Sequence, residues 1–291
     1  HKKQITGNEA LSLRFDFVYV HDSVLDKYER NDETYIVSPE NCSVWYGNQW
    51  AVICNGRVDR HTIEVELKNL YEGVRYDITK HWNKYAVKDP VKYEKGIDIG
   101  SKSKKLLEDY VKFGEYLAYQ LGIILEEDIT PEQITNINEH NFYKGYWWDQ
   151  EQIKPITYHI PHNFNQNDFF NRCSLLSKLI IEPLPEKIIR KTLKKLNIYN
   201  DSIKSYRSLR LLNFLLRYFF FAQKIGFDLM NNNDIETMKK RIENDFKDNP
   251  IEPLILLQKF RKLDAHNISS QEKMQIINEG NKIFHIQTVF N

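Results

Sequence analysis

The sharpest hydrophobic pattern in the chain lies at 61–67, where Ile63, Val65 and Leu67 alternate with Glu64 and Glu66. A period of two with β-branched residues predicts a strand with one buried and one wet face, the habit of antiparallel sheets. Residues 11–20 (Leu-Ser-Leu-Arg-Phe-Asp-Phe-Val-Tyr-Val) read as a strand on the same grounds, and 34–37 and 43–46 as shorter ones. Residues 50–55 make a further strand, expected to break in a turn at Asn55-Gly56. The period then changes. Leu106, Leu107, Tyr110, Val111, Gly114, Leu117 and Leu121 recur at helical spacing, predicting a helix over 103–122. Thr130 followed by Pro131 and Gln133 opens another. Residues 141–168 are aromatic and rich in turn formers, and are predicted to be an irregular seam between two domains.

From Asp168 onward the pattern is helical throughout. Phe169, Phe170, Cys173, Leu176, Leu179 and Ile180 form one stripe, which Pro183 and Pro185 end. A basic amphipathic helix follows, then a densely apolar one over 205–225. The latter suits the middle of a bundle or a subunit interface. A polar helix is predicted over 235–246, an apolar one over 253–264 and a last one over 270–286. The fold class expected is therefore α+β: a domain containing an antiparallel sheet over 1–160, then an all-α helical bundle over 161–291.

Composition sharpens this in three ways. Apolar content of 41% supports sizeable cores. Cys42, Cys54 and Cys173 form no paired motif, so plain buried thiols in a reducing compartment are expected. No apolar run approaches 18 residues and the start is polar and basic, giving the expectation of a soluble, cytoplasmic protein without a membrane partner. The net charge of +1 hides an asymmetry: from Asn171 onward there are 21 Lys+Arg against 13 Asp+Glu. A basic half joined to an acidic half suits a polyanion or the acidic half of a neighbour, or is simply two solvated surfaces.

The candidate chemistry sits near the C-terminus. An apolar helical run leads to Arg261, and His266 falls where that helix must stop, giving Arg-x4-His. Asn267 suits a left-handed cap, and Ser269 with Glu272 has capping-box spacing. Between Arg172 and Lys224 there are 12 Lys+Arg against three acids, including Lys187, Arg190, Lys191, Lys194 and Lys195. Lys187, Lys191 and Lys195 recur at i, i+4 and form either a phosphate-binding ridge or a solvated face. His159-Ile-Pro-His162 lacks the company of a metal site, and no metal or cofactor is expected.

The order of helices and the Arg261/His266 pair resemble the HEPN superfamily, of the Apea-like or abortive-infection type. The resemblance implies a helical bundle whose Arg/His pair meets its copy in a homodimer. It also implies metal-independent RNase activity in bacterial defence or toxin–antitoxin systems. On that reading Arg261 and His266 are catalytic, while Lys187, Arg190, Lys191, Lys194, Lys195 and Lys262 contact RNA. The sheet domain would sense or restrain the bundle, or bind a regulatory protein. Members often carry Asn, Asp or His after the Arg; Lys262 stands there, and a charged lysine accepts no hydrogen bond. The alternative is a non-catalytic bundle that dimerises or docks a partner. Residues 69–87, ending in His81-Trp82-Asn83-Lys84-Tyr85-Ala86-Val87, resemble a segment of uncharacterised bacterial proteins. No chemistry comes with that likeness. Trp82 and Tyr85 read as core anchors there, and Arg75 and His81 as structural.

Overall fold

The computed structural model describes residues 6–12, 16–88, 98–160, 164–226, 251–265 and 268–284. It is an α+β protein in which two small antiparallel sheets precede a long series of helices. The described residues form two compact units that alternate along the chain. One takes residues up to Leu107 together with Tyr146–Phe164; the other takes Glu108–Gly145 and residues from Asn165 onward. The expected boundary at 160 thus lies inside a segment of the sheet unit, and residues 108–145 fold with the later helices.

The strands are β1 (Phe17–His21), β2 (Ile36–Val37), β3 (Val44–Tyr46), β4 (Trp50–Val52), β5 (Cys54–Arg57), β6 (Thr62–Glu66) and β7 (Ala86–Val87). They pair in the orders β5-β6-β1-β7 and β2-β3-β4. The alternation read at β6 holds: Ile63 and Val65 are fully buried, whereas Glu64 and Glu66 are half-buried. Two strand expectations are corrected. Residues Gly7–Ser12 form a short helix, α1, and the strand begins only at Phe17. Asn55-Gly56 makes no turn but lies within β5, where a bulge shifts the register between Cys54 and Gly56. Gly56 has φ +115°, a conformation open to glycine and strained for other residues, so the dipeptide bends a strand instead of reversing it.

Helices α2 (Asp26–Glu29) and α3 (Tyr76–Asn83) flank these strands, and the sheet-unit core gathers Val20, Val24, Tyr28, Ile63, Val65 and Trp82. Trp82 has no exposure, and its indole Nε1 donates a 3.0 Å hydrogen bond to the Tyr28 hydroxyl. Arg75 is exposed and pairs with Asp77, and a His81 ring nitrogen lies 3.1 Å from the Val24 carbonyl oxygen. Cys42, Cys54 and Cys173 are buried and in no disulfide.

Helix α4 (Ile99–Leu125) is followed by α5 (Pro131–Thr135), α6 (Glu139–Tyr143) and α7 (Lys154–Thr157); before the next helix, the described residues of the segment predicted as irregular hold only short helical turns, at the end of α6, at Trp147–Asp149 and in α7. Thr130 and Gln133 form a reciprocal capping box at α5. A second such box, of Asn165 with Asp168, opens α8 (Gln166–Ile180). Then come α9 (Glu186–Lys195), α10 (Ser208–Ile225), α11 (Glu252–Ala265) and α12 (Ser270–Phe284). The helix predicted over 235–246 lies outside the described residues. Among the described residues no helix is long and apolar enough to cross a membrane.

The helical unit has a main core in which Leu117 and Leu121 of α4, Ile189 and Leu193 of α9, and Leu211, Leu212 and Leu215 of α10 are buried together. A second cluster joins Phe170 and Cys173 of α8 to Leu256 and Phe260 of α11 and Ile276 of α12. Gly280 is what lets α12 lie against Phe260, since a Cβ there would sit 2.3 Å from the Phe260 Cζ. Gly280→Ala is accordingly expected to destabilise the helical unit by about 1–3 kcal/mol through overpacking, despite alanine's better helix propensity. Far-UV circular dichroism during urea unfolding checks this.

Candidate functional sites

Arg261 lies in the last turn and a half of α11, as the sequence predicts, with its side chain half-buried. It is ion-paired to Glu182, just beyond the end of α8. Helix α11 packs on α8, with the Phe260 ring against Phe169 and Phe170 near the start of α8. His266, the other half of the predicted pair, lies outside the described residues, as does Asn267. Lys262 is exposed. The cap predicted to open the next helix is present, with the Glu272 amide donating to Ser269 Oγ at 3.2 Å.

The predicted basic ridge is α9, and its charges have partners. Lys191 is ion-paired to Glu127, and Lys195 to Glu126 at 3.2 Å. Arg190 holds Glu186 at 3.0 Å and the Tyr199 hydroxyl at 2.9 Å, and also donates to the Tyr206 carbonyl oxygen. Lys194 stands 5.3 Å from the centre of the Tyr199 ring. Lys187 is exposed. The acids paired with Lys191 and Lys195 come from the turn that follows α4, 64 and 69 residues earlier in sequence. Of the consecutive acids Glu126, Glu127 and Asp128, the first two are ridge partners.

A second constellation, in the sheet unit, was not legible as a motif. Asp22 opens a single 3-10 turn after β1 and is 1% exposed. Arg57, the last residue of β5, is held against it with Nη1 2.6 Å from Asp22 Oδ2. Pairing of β1 with β6 sets His21 beside His61, their rings parallel within 5° and 5.7 Å apart. The Asp22 amide donates to the His61 carbonyl oxygen at 2.8 Å and locks this register. Both imidazoles turn Nδ1 toward the carboxylate: His21 Nδ1 is 3.5 Å from Oδ1, and His61 Nδ1 is 3.4 Å from Oδ2. Asp22 Oδ1, His61 Nδ1 and Arg57 Nε are buried without a hydrogen-bond partner. They face a cleft of about 40 Å³ lined also by Arg60, Lys102, Ile99 and Ile160.

Nearby, His159 is 3% exposed and sits between two carboxylates. Its Nδ1 hydrogen-bonds Glu29, its backbone amide donates to the other Glu29 oxygen at 3.1 Å, and Nε2 lies 2.9 Å from Asp26 Oδ1, at ion-pair distance without hydrogen-bond alignment. Burial pulls the imidazole pKa down, but the bond and charge of Glu29, with Asp22 and Asp26 behind it, outweigh burial and hold it above the usual histidine value. His159 is thus an internal counter-ion. His162, its neighbour in the dismissed metal motif, lies outside the described residues.

What the fold and these sites define is a class: an α+β protein with a small sheet unit carrying a buried His/Asp/Arg cluster, and a helical unit whose penultimate described helix ends in the Arg261 segment. Comparison of the chain with protein-family models, with curated proteins and with solved structures finds no match in any of the three.

Proposed function

We propose that the chain is a metal-independent endoribonuclease of a bacterial defence or toxin–antitoxin system, acting in the cytoplasm as a homodimer through Arg261 and His266. The observation that carries this reading is the position of Arg261, half-buried near the C-terminal end of α11, with His266 following directly on the helix's last residue, Ala265. In the reaction His266 accepts the proton of the RNA 2′-OH, whose oxygen attacks phosphorus while the bond to the 5′-oxygen breaks. The products are a 2′,3′-cyclic phosphate and a 5′-OH, whose leaving oxygen takes its proton from water. Arg261 exchanges Glu182 for the phosphate and neutralises the charge that builds there. Lys262 and Lys187, both exposed, are the RNA-facing cations of this reading. The sheet unit senses a regulatory signal or partner and restrains the enzyme.

The test is incubation of purified chain with total RNA in EDTA, reading new 5′-OH ends. His266→Ala is expected to slow cleavage ~10²–10⁴-fold with unfolding by circular dichroism unchanged. Cleavage that survives the substitution removes the assignment. A second reading, a non-catalytic helical module that docks a partner, has its own support: Arg261, Arg190, Lys191 and Lys195 are all ion-paired within the chain, leaving less of the ridge for a polyanion. Absence of 5′-OH ends with a folded chain favours that reading.

A further inference from the structure

We propose that His21, Asp22 and His61 form a binding site for a divalent metal ion of the zinc type, with one coordination position open toward an anionic ligand. One ligand atom from each residue can be chosen so that all lie within 4.8 Å of one another. Zinc bonds of about 2.0–2.2 Å set tetrahedral ligand atoms roughly 3.4 Å apart, and His21 Nδ1 already lies 3.5 Å from Asp22 Oδ1, the oxygen that Arg57 leaves open. Side-chain adjustment at His61 sets the remaining edges, from ligand atoms that can be chosen within 4.8 Å of one another.

Three further observations favour a bound cation over a plain buried ion pair. Asp22 is almost fully buried, yet its Oδ1 accepts no hydrogen bond, and the buried His61 Nδ1 has no partner either. An acceptor and a ring nitrogen left bare in the same cleft are what a metal ion satisfies together. Arg57 occupies Asp22 Oδ2 alone. That is the place of an outer partner which fixes a ligating carboxylate and leaves its second oxygen to the metal. The ligands are also preorganised, since His21 ends β1, His61 precedes β6, and the Asp22–His61 backbone bond ties them. Binding displaces the bond from the Ser23 amide to His21 Nδ1, 3.2 Å long.

The cleft gives the ligand's chemistry. Besides Asp22 and His61 its polar lining is cationic: Arg57, whose Nε is an unused buried donor, and the exposed Arg60 and Lys102. Two neutral imidazoles and one carboxylate leave the ion with positive charge to spare. A small anion such as a phosphate monoester or carboxylate would fill the open position and accept from Arg57 Nε.

The experiment uses the full chain stripped with a chelator, then Zn²⁺ in equilibrium dialysis and Co²⁺ followed by its visible absorption. One saturable equivalent is expected, with the intense spectrum of low-coordinate cobalt. His21→Gln and His61→Gln should each weaken binding on the order of 100-fold, while His140→Gln, an exposed histidine of the helical unit, should leave it unchanged. Tryptophan fluorescence confirms folding of each variant. No saturable binding by the native chain, or binding indifferent to both cluster substitutions, overturns the proposal in favour of a hydrated Asp22–Arg57 pair. RNA cleavage in EDTA reports on Arg261 and His266 alone, so this inference and the ribonuclease reading fail independently.

Discussion

Replacing His159 with alanine is expected to lower the stability of the sheet unit by ~3–5 kcal/mol, the usual consequence of removing one partner of a buried pair. Glu29 is 8% exposed, and both of its oxygens are held by His159, one through the ring and one through the backbone amide. The alanine variant keeps the amide but leaves the buried carboxylate without its counter-ion and opens a hole where the ring stood. Asp26, more exposed, contributes less. The effect carries a pH signature whose sign follows from the elevated folded pKa of His159. Stabilisation by the imidazolium is complete below the ordinary histidine value of about 6.5, and fades as pH rises through the higher folded value. The gap between native and variant chains should therefore be widest in mild acid and narrow toward alkaline pH. Urea midpoints followed by tryptophan fluorescence read the sheet unit selectively, because Trp45, Trp50, Trp82, Trp147 and Trp148 all belong to it. A gap that widens with pH would remove the counter-ion assignment.

Trp82→Ala is expected to cost a further, independent ~3–5 kcal/mol, the range for large-to-small changes at buried aromatic residues. Trp82 has no exposure, packs with Tyr28 in the sheet-unit core, and gives that phenol its hydrogen bond. Burial raises the Tyr28 pKa well out of the ordinary phenol range, so the hydroxyl stays neutral and needs its partner. Trp82→Phe separates the two contributions: it keeps much of the apolar bulk and loses the donor, and should cost about 1–3 kcal/mol. If alanine and phenylalanine variants unfold at the same urea concentration, packing is not what Trp82 supplies.

The sequence was most legible where the physics is local. The alternation of Ile63, Val65 and Leu67 names a buried face whatever lies over it. The Thr130–Gln133 box and the Ser269 cap bring their own hydrogen-bond partners within four residues. Trp82 announced itself as a core anchor by size alone. Local signals misled where a second conformation suits the same residues: Asn55-Gly56 fits a turn or a bulge, and only the register against β6 chose the bulge. Arg261 was legible as a helix-end cation; that Glu182 would reach it was not.

The charges show the division most clearly. Sequence alone counted the cations of α9 and could not say whether they were free. Tertiary structure brought Glu126 and Glu127 to them from the turn that follows α4. Sequence saw His159 and His162 as a poor metal motif. The fold set His159 against Glu29, 130 positions away, and gathered His21, Arg57 and His61 around Asp22. Periodicity and capping are written within a turn or two of backbone, so the chain by itself determined its sheet-then-helix order and its longer, strongly periodic elements. Which buried charges meet is decided by desolvation, since each must find a partner as the strands close over it, and that choice exists only in the folded protein.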